Sequence, residues 1–247
     1  MNKKKILFLD EYLLRELHPI VITIYGAGGT GSHLAVQLAR VNFALLSMGR
    51  RGLDVTVVDS DECGSTTPVR AQLNPYAIGQ LKALSLISGL NSAYGTNWKS
   101  QQQGFIPTNC DFFITCTDTV RSRREIFDSF GDKYKYFIDC GNGDASGQVI
   151  MGTSKRLSMN QKKSKFMYSV PNVFDMFPNI QDEDTRDSCS VYESIRNQGL
   201  FVNSILANLC ANMIYEFLTD HALDYHGYFF NMENGWAKIP ITYLKSK

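Results

Sequence analysis

Apolar and polar positions along this chain follow two periods. Runs of five or six mostly apolar residues recur at Val21–Tyr25 ("VITIY"), Asp54–Asp59 ("DVTVVD"), Asp111–Cys116 ("DFFITC") and Tyr136–Cys140 ("YFIDC"). Short apolar runs of that kind are the mark of strands covered on both faces. Between them the spacing turns helical. Leu34, Ala35, Leu38 and Ala39 predict a helix that runs to about Leu46 and stops by Gly49. Gly79–Leu90 and the charged stretch Arg121–Phe130 predict two more. Strands alternating with helices predict an α/β fold, a Rossmann-like and mainly parallel sheet with helices on both faces.

The last third breaks the alternation. "SGQVIMGTS", from Ser146, predicts a strand that leaves the parallel pattern. Residues Ser169–Asp187, rich in Pro, Asn and Asp, predict a loop. Ile205, Leu209, Met213 and Phe217 share one stripe and predict a single long helix over Val191–Leu218, with Ser190 as N-cap and Glu193 completing a capping box. The tail, from "YHGYFFN" to "KIPITYL", predicts a closing hairpin. The expected organisation is one domain over 1–247, with a nucleotide-binding core at about 20–155 and a C-terminal helix and β extension at about 156–247.

Composition narrows the classes. Of 247 residues 44% are hydrophobic and 20% charged, and the net charge is +1. That balance carries no electrostatic footprint for a nucleic acid or a membrane surface, so neither is expected as a partner. The start, "MNKKKILFLDEY", imitates a signal peptide until Asp10 and Glu11 interrupt it. Six cysteines are scattered, with no CxxC pair. Neither a disulfide framework nor a structural zinc is expected, and the chain reads as cytoplasmic.

The candidate chemistry begins at "VITIYGAGGTGSHL". Gly26, Gly28 and Gly31 match G-x-G-x-x-G between a strand and a helix. Glycines there allow a tight turn and close backbone approach, and the helix N-terminus offers N–H groups to a phosphate. Asp59 ends the next strand, where an acid accepts hydrogen bonds from a ribose. A redox dinucleotide and ATP satisfy these residues equally. The residues that follow separate the two. Asp61, Arg70 and Lys82 come next, and two cations neutralise charge that develops as pyrophosphate leaves. An NAD-dependent oxidoreductase has no general need of them. Asp118, in "FFITCTDTVRSRREIF", falls just past a strand's carboxyl end, where ligands of open α/β sheets sit and where a carboxylate can hold the magnesium that accompanies ATP.

With these motifs in this order, the sequence resembles the ThiF/MoeB/HesA group, the bacterial relatives of ubiquitin-activating enzymes. "GAGGTGS" with Gly29 and Ser32, the Asp59–Asp61 pair, Arg70, "GQLKA" with Lys82, and "CTDTVRSRR" with Asp118 and Arg123 carry the likeness over about residues 20–155. "CSVYESIRNQGLFVNSILAN" and the closing "HGYFFN…KIPI" resemble the ThiF-family protein of the PRTRC genetic system. The resemblance implies that Gly26, Gly28, Gly29 and Gly31 approach the ATP phosphates. It implies that Asp59 binds ribose, that Arg70 and Lys82 contact phosphates, and that Asp118 binds Mg2+. The implied activity is adenylation of the C-terminal carboxylate of a ubiquitin-like or sulfur-carrier-like small protein, by a homodimer.

Some positions depart from that pattern. Thr67 stands where the family has Asn, Ala71 where it has Gln with Gln72 one place late, and Thr119 where it has Asn. No amino-terminal helix is recognisable, and only Arg15 lies near its place. The departures bear on turnover rather than binding. A nucleotide-binding scaffold without turnover is therefore an alternative, as is the oxidoreductase. Single residues also keep two readings. Asp61 lines the site, or caps or pairs with Arg70. Asp118 holds magnesium, caps the next helix, or both. Arg123 reaches the nucleotide or pairs with a nearby carboxylate. Cys189 is a packed cysteine, or a thiol activated by a helix N-terminus to receive the acyl group. Cys63, Cys110, Cys116, Cys140 and Cys210 read as packing.

Overall fold

A computed structural model of the chain describes residues 5–107, 109–130, 133–154, 169–181 and 199–241. Its elements, in chain order, are β1 (Leu7–Phe8), α1 (Glu11–Leu14), β2 (Ile20–Tyr25), α2 (Gly29–Ser47), β3 (Leu53–Val58), α3 (Thr67–Arg70), a 3-10 turn (Pro75–Ala77), α4 (Lys82–Tyr94), β4 (Lys99–Gln101) and β5 (Cys110–Thr115). There follow α5 (Val120–Phe130), β6 (Tyr134–Asn142), β7 (Ser146–Thr153), α6 (Val173–Met176), α7 (Val202–Asp220), β8 (Ala222–Leu223), β9 (Tyr225–Asn231) and β10 (Gly235–Pro240).

Eight strands make one sheet in the order β10-β9-β7-β6-β5-β2-β3-β4. The block from β6 to β4 is parallel, whereas β7, β9 and β10 join antiparallel. The expected Rossmann-like sheet with a C-terminal β extension is therefore present, and β9–β10 is the predicted hairpin. The chain runs outward from β2 through β3 to β4, then crosses to β5 on the other side of β2. That reversal opens a crevice at the carboxyl ends of β2 and β5.

The strands are buried on both faces because their side chains alternate between two cores. Phe112 and Ile114 of β5 join the core under α2, α4 and α7. Phe113 points the other way, into an aromatic core with Phe130 and Phe137 under α5 and α6. Phe113 and Phe130 stack there with centroids 3.7 Å apart.

Three elements differ from the sequence reading. A short α1 exists after all, and Asp10, which interrupts the signal-like start, caps it by accepting from the Tyr12 N–H at 3.2 Å. The second helix begins at Lys82 rather than Gly79, because Gly79 takes a positive φ of 82° in a turn, and it ends at the left-handed Gly95. The long helix is not continuous from Val191. Residues 199–201 are non-helical, with the Gly199 N–H bonded to the Asp144 carbonyl at 2.7 Å, and α7 starts at Val202. A glycine there spends its N–H on another segment, so no turn propagates through it. The cap predicted at Ser190 and Glu193 lies outside the described residues. Among the described residues no helix is long and apolar enough to cross a membrane.

His226 of β9 is fully buried, with Nδ1 2.9 Å from the Met151 carbonyl. Burial holds its pKa below the usual imidazole value. A lowered folded pKa means the unfolded chain takes up the proton first as pH falls. The stability His226 contributes is therefore complete above about pH 6.5 and lost as pH drops below it. Relative to His226→Phe, the wild type should lose melting temperature progressively between pH 7 and 5.5, whatever the offset between the two at pH 7.5. Parallel melting curves of the pair would contradict this.

Candidate nucleotide site

The glycine loop is rooted where β2 ends. The Gly26 N–H donates to the Val58 carbonyl at 2.9 Å, and the Cys116 N–H donates to the Tyr25 carbonyl at 2.8 Å, so both flanking strands hold the loop's base. Gly26 adopts φ 98°, and a Cβ on it would stand 2.8 Å from the Cys116 carbonyl oxygen. A Cβ on Gly31 would stand 1.9 Å from the Gly26 carbonyl oxygen. Gly28 differs, because a Cβ there meets nothing within 4 Å. It opens onto the crevice at the start of α2, whose N-terminus has no side-chain cap. Uncapped amides at a helix start, beside a glycine with open space, fit an anion.

Carboxylates and a cation form a chain beside this cradle. Asp59 Oδ2 accepts from the Ala27 N–H at 2.6 Å, and its Oδ1 accepts from the Asp61 N–H at 2.8 Å. Asp61 pairs with Lys82, Nζ to Oδ2 at 2.9 Å, and not with Arg70 as one reading had it. Arg70 ends α3, and its segment is pinned to α2 from two sides. His33 hydrogen-bonds the Arg70 backbone, and the Gln72 N–H donates to Ser32 Oγ at 2.8 Å. Burial keeps the His33 pKa below its usual value.

On the other side of β2, Asp118 is exposed just beyond β5. The helix cap is Thr119 instead, whose Oγ1 accepts from the Ser122 N–H at 3.1 Å. That leaves the Asp118 carboxylate facing solvent at the carboxyl edge of the sheet. Arg123 is buried, with Nη1 3.2 Å from Asp139 Oδ2. Thr115 donates to the other oxygen of Asp139 at 3.1 Å. Burial pushes the Asp139 carboxyl up to about 6, against the pull of Arg123. A Cβ on Gly141 would fall 2.2 Å from Arg123 Nη1, so the missing side chain leaves the guanidinium room beside Asp139 on that face of β6. Breaking a buried pair leaves an uncompensated charge. Arg123→Met should cost about 3–5 kcal/mol in urea unfolding, and Arg123→Met with Asp139→Leu should recover most of it. Equal losses in the two variants would refute the pairing argument.

Of the residues singled out in the sequence, the structure gathers Gly26, Gly28, Gly29, Gly31, Asp59, Asp61, Arg70, Lys82 and Asp118 around the carboxyl ends of β2, β3 and β5. Arg123 lies beneath, engaged with Asp139. Cys189 lies outside the described residues. Cys63, Cys110, Cys116, Cys140 and Cys210 are buried free thiols. Sequence reasoning missed Asn203, in the first turn of α7 and 3% exposed, which reaches the glycine loop. Its signal was a lone amide in an apolar stripe, which spacing alone does not distinguish from a helix-end polar residue.

A Rossmann-like sheet with a glycine cradle at its switch point defines a nucleotide-binding class. The chain belongs to the ThiF family, whose family model matches residues 3–242. A search of curated proteins finds none that matches. Among solved structures it is similar in fold to E. coli MccB, at 13% identity and TM-score 0.61 over 93% of this chain and 65% of that one. It is likewise similar to PaaA, at 14% identity and TM-score 0.59 over 94% of this chain and 67% of that one. A structure of E. coli MccB with ATP matches at 12% identity and TM-score 0.60, over 93% and 66%. This chain thus spans about two thirds of the length of these proteins.

Proposed function

We propose that the protein is an ATP-dependent adenylyltransferase acting on the C-terminal carboxylate of a peptide or small protein, of ubiquitin-like or sulfur-carrier-like type. The observation that carries this reading is the pairing of an open, uncapped glycine cradle with Asp59, Arg70, Lys82 and the exposed Asp118 around one crevice. Membership of the ThiF family supports it, as does the fold shared with MccB, which has been solved with ATP and with MccA.

In this reading the acceptor carboxylate attacks the α-phosphorus of ATP. An acyl–phosphate bond forms, the bond to the β-phosphate oxygen breaks, and pyrophosphate leaves. The amides at the start of α2 hold phosphate oxygens. Arg70 and Lys82 offset the charge that gathers on the leaving pyrophosphate. Asp59, fixed by the Ala27 and Asp61 amides, presents its remaining acceptor positions to the ribose. Asp118 would hold Mg2+, which supplies charge neutralisation at the phosphates. Arg123 keeps the strand ends in register from below. Catalysis by positioning and charge needs no covalent step from the enzyme. Cys189 is the candidate for a later acyl transfer.

The acceptor would approach over the antiparallel end of the sheet. A groove of about 510 Å3 there is lined by Gln148, Phe177, Pro178, Ile180 and Phe229 among others. Gln148 also hydrogen-bonds Asp139, which links the groove to the strand ends beside Asp118. A homodimer is part of the proposal, and Phe43, Leu46 and Met48 expose apolar surface at the end of α2.

The test is ATP–pyrophosphate exchange with candidate small proteins bearing a free C-terminal carboxylate. Exchange that depends on the acceptor supports the reading. ATP binding without AMP formation for any acceptor favours the scaffold alternative, for which Thr119, committed to capping α5, is the specific observation.

A further inference from the structure

The C-terminal helix delivers an amide into the glycine cradle. Asn203 Oδ1 accepts from Thr30 Oγ1 at 3.0 Å and from Asn142 Nδ2 at 3.1 Å. Two donors on one oxygen fix which way the amide faces. Nδ2 must then point away from both, toward the loop, where it stands 2.4 Å from the position a Cβ on Gly29 would take. Gly29 is the first residue of α2, next to the open position at Gly28. An amide nitrogen carries two N–H donors, and among the described residues no acceptor meets these. The side chain is 3% exposed, yet among the described residues the buried side-chain atoms left without a partner are Arg123 Nε and His226 Nε2, so Asn203 Nδ2 touches the surface at the cradle and its two donors are open to a ligand there. The group that belongs at this helix start is an oxyanion.

We propose that Asn203 is a phosphate ligand of the nucleotide, donated by α7 from outside the segment that holds the other site residues. The assignment rests on the reading of the crevice as an ATP site. Oδ1 anchors the residue through Thr30 and Asn142, and Nδ2 donates to a phosphate oxygen beside the α2 amides. The Cβ of any other residue at 29 would occupy the space the amide needs. Gly29 thus serves the ligand from α7 rather than the turn.

Calorimetric titration of full-length protein with ATP·Mg2+ and with adenosine, which has no phosphate, tests this. Asn203→Asp keeps an oxygen for Thr30 and Asn142 but turns a carboxylate toward the phosphates. Its ATP affinity should fall about tenfold or more while adenosine affinity stays within about twofold. Thr30→Val loses one anchor and keeps Nδ2, with Asn142 still holding Oδ1, and should bind ATP within about threefold of wild type. Where Asn203→Asp does not fold, Asn203→Ser carries the same ATP-to-adenosine comparison. Wild-type ATP affinity in Asn203→Asp overturns the assignment. So does an equal loss of ATP and adenosine, or a loss in Thr30→Val as large as in Asn203→Asp, since either makes the residue an anchor of loop shape. Wild-type protein that binds no adenine nucleotide overturns the site reading itself, and this assignment with it.

Discussion

Gly31→Ala and Gly28→Ala, three positions apart in one loop, are expected to fail in opposite ways. The Cβ added at Gly31 would lie 1.9 Å from the Gly26 carbonyl oxygen and 2.9 Å from its carbon. Both are backbone atoms of a loop tied to β3, and the neighbouring Cys116 is tied to β2, so neither side can yield cheaply. Overpacking of this severity costs about 3 kcal/mol or more. Gly31→Ala should melt well below wild type and lose nucleotide binding because the loop no longer forms. Gly28 sits at φ −76°, an ordinary conformation for alanine, with nothing within 4 Å of the new methyl. Gly28→Ala should therefore melt within about 0.5 kcal/mol of wild type. Its methyl fills the phosphate position, so ATP should raise the melting temperature of wild type and leave that of Gly28→Ala unmoved. Thermal melts with and without ATP·Mg2+ check both. An ATP-induced shift of normal size in Gly28→Ala would place the phosphates elsewhere.

Lys82→Ala and Asp118→Asn should abolish turnover while leaving the fold intact. Lys82 pairs with an Asp61 whose side chain is 74% exposed. Removing the lysine thus strands no buried charge, and pairs of this kind contribute about 1 kcal/mol at most. Asp118 is exposed and does not cap the helix after it, so its loss should be stability-neutral too. The loss expected in AMP formation is about 100-fold or more for each, the scale found when a group that stabilises developing charge is removed. Rates of acceptor-dependent pyrophosphate exchange, read beside melting temperatures, separate the effects. Activity near wild type in Lys82→Ala would make the lysine a plain partner of Asp61.

The sequence revealed the parallel core because β2, β3, β5 and β6 are covered on both faces, and that requirement writes unbroken apolar runs into a chain. It revealed the cradle for a comparable reason, since only glycine fits at positions 26 and 31. It concealed β4, whose three residues Lys99–Gln101 form an edge without an apolar residue, so no period marks them. It concealed that the helix starts only at Val202, because the apolar stripe begins before it and the carbonyl that takes the Gly199 N–H belongs to Asp144, 55 residues away. The reading that paired Asp61 with Arg70 differs from the structure for a similar reason. Arg70 is the nearer cation in sequence, but Lys82 begins α4 with its own N–H on the Asp61 carbonyl, and that bond brings its ammonium back to the carboxylate. Asn203 stayed hidden because its contacts join three elements that only tertiary packing brings together.

The Asp61–Lys82 pair also has a bearing on which solutes the crevice admits. A bare lysine beside an uncapped helix start would attract any polyanion, and such attraction fades quickly with salt. Here the ammonium already has a tethered counter-ion. A phosphate that takes Lys82 must displace that carboxylate, so the exchange is one anion for another rather than simple capture. Small or weakly charged anions gain little by it. The tether thereby works as a threshold, favouring a solute that meets Lys82, Arg70 and the helix amides together over one that meets the lysine alone.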